Sequence, residues 1–193
     1  MDATKIAQTQ YPILDVIKNR WSARSFSAKE ISQETVNQFF ESASWAFSSM
    51  NEQPWRYIYA FRDEPVFEKI WDCLLPGNKP WSKKAAVLIV SLANTKFSNG
   101  NSNKHSYHDV GAANTNLLLE ATANNVYGHV MGGIDYAKIR GEFNLPEHLE
   151  CVAVIALGYL NEHNNLDEPF RSRELMTRTR KAISEISFHN HLE

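Results

Sequence analysis

The chain has 193 residues, 43% of them hydrophobic and 22% charged, with a formal net charge of −2 at pH 7. This is enough chain to bury one core, and so even a charge balance gives no electrostatic reason to expect nucleic acid or an anionic membrane as partner. Cys73 and Cys151 stand far apart with no CxxC spacing, which excludes a disulfide framework and points to a reducing compartment with both thiols as small apolar side chains.

The opening "MDATKIAQTQ" has no apolar signal core, and the longest apolar runs, "AAVLIVSLA" and "VAVIALGYL", are too short to cross a bilayer. The expectation is a cytoplasmic protein in which those runs are buried strands. Pro12 opens a helix whose apolar stripe is Ile13, Leu14, Val16 and Ile17, ending at Arg20. Ser32 caps a stronger helix, with Val36, Phe39, Phe40, Ala43, Ala46 and Phe47 at helical spacing.

The polar "SSMNEQP" interrupts, and "WRYIYAF" then alternates as a strand with Trp55, Tyr57, Tyr59 and Phe61 on one face. Pro65 starts a helix carrying Val66, Phe67, Ile70, Trp71 and Leu74, and the turn "PGNKP" leads to a strand over Val87 to Leu92. A polar loop, "NTKFSNGNSNKHS", precedes a long helix from about Tyr107 to Asn125. A short strand ends at "MGG", Asp135 caps a brief helix, and "CVAVIALGYL" is the last core strand. From Asn161 the chain is polar, without regular pattern until "KAISEISFH". The order predicts a mixed α+β chain, a single domain over residues 1–193, and not strict βαβ repetition.

Several chemistries are absent from the sequence. There is no GxGxxG after a strand, no GxxxxGK[ST], no HExxH and no GxSxG. His105 and His108, beside the polar loop, read as surface histidines rather than metal ligands. What remains is a set of weaker signals. In "RWSARSF", Arg20 and Arg24 flank Ser22, and "RSR" returns the arginine theme at Arg171 and Arg173. Guanidinium forks match phosphate oxygens, so these stretches suit either a terminal phosphomonoester or, taken singly, solvated basic patches. "SSMNEQPW" is a helix exit or a cluster of short hydrogen-bonding side chains. Gly77 and Asn78 form an ordinary turn pair. "MGG" is a tight turn before Asp135 or a place where backbone approaches a flat ligand.

The order of these stretches resembles the flavin-dependent nitroreductase family, over nearly the whole chain from about Pro12 to Phe188. The resemblance implies an α+β nitroreductase-like fold, with a central, mostly antiparallel sheet flanked by helices. It implies an intertwined homodimer in which residues from about 161 to 193 form an arm around the partner. It implies FMN as cofactor, NADH or NADPH as transient hydride donor, and a small-molecule electron acceptor such as a nitroaromatic or quinone.

By the same resemblance, Arg20, Trp21, Ser22 and Arg24 hold the phosphate and ribityl tail, and Arg171 and Arg173 close that site. Ser48, Ser49 and Asn51 lie against the flavin bound mainly by the other subunit, and Asn78 reaches its polar edge. Gly132 and Gly133 place backbone N–H groups near flavin N5 and O4, with Met131 beside them. The pattern is similar to the shorter "MGG" branch. Many relatives carry glutamate at the position of Gly132 and lysine at that of Trp81, with Lys79, Lys83 and Lys84 as candidates to replace the lysine. No catalytic acid or base is nominated, because the cofactor carries the chemistry. Reductive dehalogenation, an oxygen-dependent flavin reaction, or flavin binding without turnover stand as alternatives.

Overall fold

The computed structural model describes residues 5–192; residues 1–4, which open the stretch read for a signal sequence, and residue 193 lie outside the described residues. Four strands form an antiparallel sheet in the order β1-β2-β4-β3: β1 (Trp55–Phe61), β2 (Val87–Asn94), β3 (Val126–Met131) and β4 (Leu149–Tyr159). On β1, an edge strand, Tyr57, Tyr59 and Phe61 pack with Trp55 toward one core and Ile58 and Ala60 toward the other. The central strands β2 and β4 are apolar on both faces, because helices cover both sides of the sheet.

One face carries α2 (Gln33–Ser44) and α5 (Ser106–Ala123). Ser32 caps α2, its Oγ accepting the Thr35 N–H at 3.2 Å, and Val36, Phe39 and Ala43 form the buried stripe. On α5, Val110, Ala113, Leu117 and Ala121 recur at helical spacing and are buried against α2 and the sheet. The opposite face carries α3 (Pro65–Asp72), α4 (Lys79–Ser82) and α6 (Tyr136–Glu142), through Phe67, Ile70, Trp81 and Ile139. Pro65 occupies the first turn of α3, and Asp135 caps α6 by accepting the Lys138 N–H at 2.9 Å.

The ends of the chain differ from the sequence expectation. Helix α1 (Asp15–Asn19) starts three residues after Pro12, and its apolar side chains find no core within the chain, Leu14 being 70% exposed. Ala46 and Phe47 lie beyond the end of α2. Helix α7 (Phe170–Leu175) forms in the stretch read as irregular, because Phe170 and Glu174, one turn apart, are both buried. "KAISEISFH" makes only a 3-10 turn at Ile183–Glu185, with Ile183, Ile186 and Phe188 exposed. No helix among the described residues is long and apolar enough to cross a membrane.

Candidate functional site

Residues 20–26 run extended alongside the end of β4. Phe26 bridges Leu160, the Ser27 N–H donates to the Tyr159 carbonyl at 2.9 Å, and the Asn161 N–H donates to the Ser25 carbonyl at 2.9 Å. Gly158 admits the Phe26 ring, since a Cβ there would stand 2.6 Å from it. Extended backbone alternates its side chains, so Trp21 and Ala23 turn into the core while Arg20, Ser22 and Arg24 share the outer side. The two arginines and the serine of "RWSAR" thus face one cleft, of about 380 Å³.

Three elements close that cleft. Arg173 enters from α7, Arg178 and Arg180 from the segment after it, and His129 from the middle of β3. The guanidinium groups crowd one another. Burial, then Arg180, holds Arg20 below the usual arginine value; burial and Arg173 do the same to Arg24 against the pull of Glu174. Arg178 is lowered by burial, Arg20 and Arg180. A concave surface with this many converging cations favours an anion of more than one charge.

Glu174 and Arg178 brace the cleft from behind. Glu174, 5% exposed, accepts the Arg24 N–H at 2.8 Å and the Ser25 N–H at 3.0 Å, and its second oxygen lies 3.8 Å from the Arg24 guanidinium. Arg178 donates to the carbonyls of Lys5 at 2.9 Å and Lys18 at 2.6 Å, while Lys5 Nζ donates to the Met176 carbonyl at 2.6 Å. These bonds tie the segment after α7 to the exit of α1 and so to Arg20.

The strand-end glycines lie along β3 from this cleft. Gly132 follows His129 by three residues, about 10 Å of strand, and the space where its Cβ would stand is open. Gly133 is crowded: Asn78 Nδ2 donates to its carbonyl at 3.1 Å, and the Leu75 N–H donates to the same oxygen at 3.0 Å. Asn78 and Gly133 are therefore brought together, as the sequence reading grouped them. Met131 is placed otherwise, its side chain buried in the core at 2% exposure.

Two further groups lie apart from the arginine cleft. Arg171 points away from it and pairs with Glu168 at 3.0 Å. Ser48, Ser49 and Asn51 form a turn in which Met50, Asn51 and Gln53 all take positive φ (53°, 56° and 50°). Its partners are local or on α5: Ser48 Oγ accepts the Gln53 N–H at 3.0 Å, and the Ser49 N–H donates to Asp109 at 3.0 Å. This turn leads into Trp55, whose partner Ala93 pairs with Glu150 at the start of β4, whereas residues 20–26 adjoin Leu160 past its end. That separation is about 33 Å along the strand.

The lysine candidates are engaged elsewhere. Lys79 pairs with Asp72 at 2.8 Å, Lys83 with Glu68, and Lys84 donates to the Asn165 carbonyl at 3.0 Å. Trp81 lies in the core and stacks on His129, with ring centroids 4.5 Å apart. His129, Glu174, Arg178 and Arg180 are the residues that sequence reasoning missed. The alternating cations of "TRTRK" were the available signal for the two arginines; nothing local marked the histidine.

The nitroreductase family model matches this chain over residues 17–86 and 74–159. A protein of Archaeoglobus fulgidus, provisionally named NADH dehydrogenase/NAD(P)H nitroreductase, is 29% identical over 165 residues, covering 80% of this chain and 89% of its own. Among solved structures, an oxidoreductase containing FMN superposes with a TM-score of 0.93 at 27% identity, covering 100% of this chain and 99% of that one. A nitroreductase-like protein from Desulfovibrio desulfuricans in complex with FMN shares the fold, with a TM-score of 0.75 at 24% identity over 96% of this chain and 100% of its own.

Proposed function

The chain belongs to the nitroreductase family, and from that premise we propose that it is an FMN-dependent oxidoreductase. It takes a hydride from NADH or NADPH and passes electrons to a nitroaromatic, quinone or similar acceptor, in the cytoplasm. The observation that carries this reading is the cleft in which Arg20, Ser22, Arg24 and Arg173 converge, with the open backbone of Gly132 farther along β3.

The donor set fits the cofactor. A terminal phosphate dianion offers three acceptor oxygens, which guanidinium forks and a serine hydroxyl satisfy with charge-assisted bonds. Burial lowers Arg20, Arg24 and Arg178, and a neighbouring arginine lowers each further, which is the mark of a site short of negative charge. Bound FMN would supply the reversible two-electron chemistry that no side chain of this chain possesses.

The chain's own residues then have distinct tasks. Arg20, Ser22, Arg24 and Arg173 hold the phosphate, and Glu174 keeps Arg24 and its peptide in place. Gly132 leaves a backbone N–H accessible to a planar ring, and Asn78 fixes the turn beside it by holding the Gly133 carbonyl. Ser48, Ser49 and Asn51, at the other end of the sheet, serve the site of a second subunit, and on this reading the protein is a homodimer with each site shared. Residues 161–193 of the single domain supply the arm that embraces the partner, presenting the exposed Ile183, Ile186 and Phe188.

Donor and acceptor use one open face in turn, which is ping-pong order. The test is steady-state kinetics of purified, FMN-loaded protein with NAD(P)H against a nitroaromatic or quinone. Parallel double-reciprocal lines are expected, with NAD(P)H alone bleaching the flavin absorbance anaerobically. Intersecting lines together with a flavin that NAD(P)H does not bleach would favour another flavin reaction or a binding role.

A further inference from the structure

We propose that His129 is a positioning residue of the anion cleft, neutral when the cleft holds no anion and protonated when a phosphate ester binds. The proposal rests on the FMN reading above and concerns how the chain meets the phosphate.

The geometry puts His129 in the wall of the cleft. Its Nδ1 lies 3.0 Å from the carbonyl of Ala23, the residue between Ser22 and Arg24. A carbonyl only accepts, so Nδ1 carries a hydrogen and Nε2 is the open nitrogen of the neutral ring. Trp81 packs against the ring at a tilt, with centroids 4.5 Å apart and 38° between planes. His129 thereby fixes, from the sheet side, the peptide whose neighbours hold the anion.

The surroundings oppose a charge on this ring until an anion arrives. Arg20 and Arg24 face it from the extended segment, Arg173 from α7, Arg178 and Arg180 from the segment beyond, and Lys5 from the N-terminal side. Among the described residues, the packed elements that remain give no anion: α4 presents Trp81, and β4 pairs Ala156 opposite His129. Tyr127, two residues along β3, is kept protonated by burial. Glu174, the carboxylate behind the cleft, is committed to Arg24. Burial first, then Arg24, holds the imidazole down to about 4, while hydrogen bonding to the Ala23 and Ser22 carbonyls favours the charged form. A phosphate dianion in the cleft offsets part of the surrounding positive charge, the repulsion from Arg24 and Arg20 included, and so favours the charged imidazole. The proton comes from solvent and adds at Nε2, giving the cradle another charged donor.

The experiment is calorimetric titration of apoprotein with FMN near about pH 6, where imidazoles titrate, in two buffers of different ionisation enthalpy. Riboflavin, which has no phosphate, is the control ligand. His129→Gln keeps an amide N–H for Ala23 and cannot titrate. The phosphate's own second ionisation contributes equally to wild type and variant, so it cancels in the difference. Wild type should take up a larger fraction of a proton than His129→Gln on binding FMN, and the two should match on binding riboflavin. Imidazole NMR of wild-type protein reads the same event: the His129 midpoint, assigned by its absence in the variant, should rise on FMN loading. If the variant does not fold, the NMR midpoint of wild type decides by itself, with the signal assigned by sequential backbone correlation. Equal proton uptake, or a midpoint unmoved by FMN, overturns the proposal while leaving the FMN assignment intact. A chain that binds no FMN overturns both.

Discussion

The Asn78 side-chain amide donates to the Gly133 carbonyl at 3.1 Å, and a Cβ placed on Gly133 would stand 2.8 Å from that same nitrogen. The two glycines of "MGG" therefore do different jobs. Gly133→Ala should push Asn78 away and cost about 0.5–1.5 kcal/mol of folding stability, the usual net value of one hydrogen bond. Gly132→Ala meets open space and should leave apoprotein stability unchanged, acting instead on FMN affinity or flavin redox potential. Urea unfolding of both apo variants, followed by FMN titration, checks the split. Equal stability losses would show that the crowding at Gly133 has no energetic consequence.

Arg173 and Arg171 should behave differently although they sit two residues apart. Arg173 lines the cleft, whereas Arg171 pairs with Glu168 on an exposed surface. Arg173→Ala removes charge-assisted bonds of about 1.5–3 kcal/mol, weakening FMN about 10–150-fold. Arg171→Ala should change affinity by no more than about 2-fold, as expected for an exposed pair. Fluorescence titration of FMN into both apoproteins measures this, and the reverse ranking would reassign the closing arginine.

Glu174→Ala should be among the more destabilising single changes. It strips the acceptor from the buried N–H groups of Arg24 and Ser25. Two orphaned donors cost about 2–4 kcal/mol together. Glu174→Gln keeps an acceptor oxygen and should lose less. Chemical denaturation in the absence of FMN gives the comparison, and an unperturbed Ala variant would mean that the brace is dispensable.

Acidification should weaken the apoprotein through His129. Its imidazole is held at about 4 in the folded chain, against about 6.5 for an unfolded histidine. Between those values the unfolded chain binds more protons, so this contribution to stability falls as pH drops through the window. The pH dependence of unfolding should be flatter in His129→Gln than in wild type over that range. Superimposable profiles would rule out a depressed His129 in the free protein.

Deleting residues 180–193 should loosen the proposed dimer and weaken FMN binding. The deletion removes Arg180 from the cleft and the exposed apolar Ile183, Ile186 and Phe188, whose burial on a partner would stabilise at about 25 cal/mol per Å². Sedimentation equilibrium and FMN titration read the two effects. A truncated chain that stays a fully loaded dimer of unchanged melting temperature would leave the arm without this role.

The strands and the caps at Ser32 and Asp135 were legible in the sequence by itself. Each rests on a local rule: alternation along extended backbone, or a side-chain oxygen meeting an N–H three residues on. The family resemblance implied that Asn78 and the strand-end glycines serve one flavin, but the hydrogen bond between Asn78 and Gly133 appears only in the fold. Which arginine of "RSR" faces the cleft was decided only by tertiary structure. Phe170 and Glu174 bury one side of α7, and residues two apart on a helix point about 200° from each other, so the two arginines leave on opposite flanks of that side, Arg173 toward the cleft and Arg171 toward Glu168. His129, Arg178 and Arg180 likewise became site residues only on folding. Their partners are Ala23, Lys5 and Lys18 for the first two and the crowded face of Arg20 for the third, all more than a hundred positions away in the chain. No local pattern encodes a contact closed over that distance; the packing of β3 and the segment after α7 against the N-terminal strand-like stretch creates it.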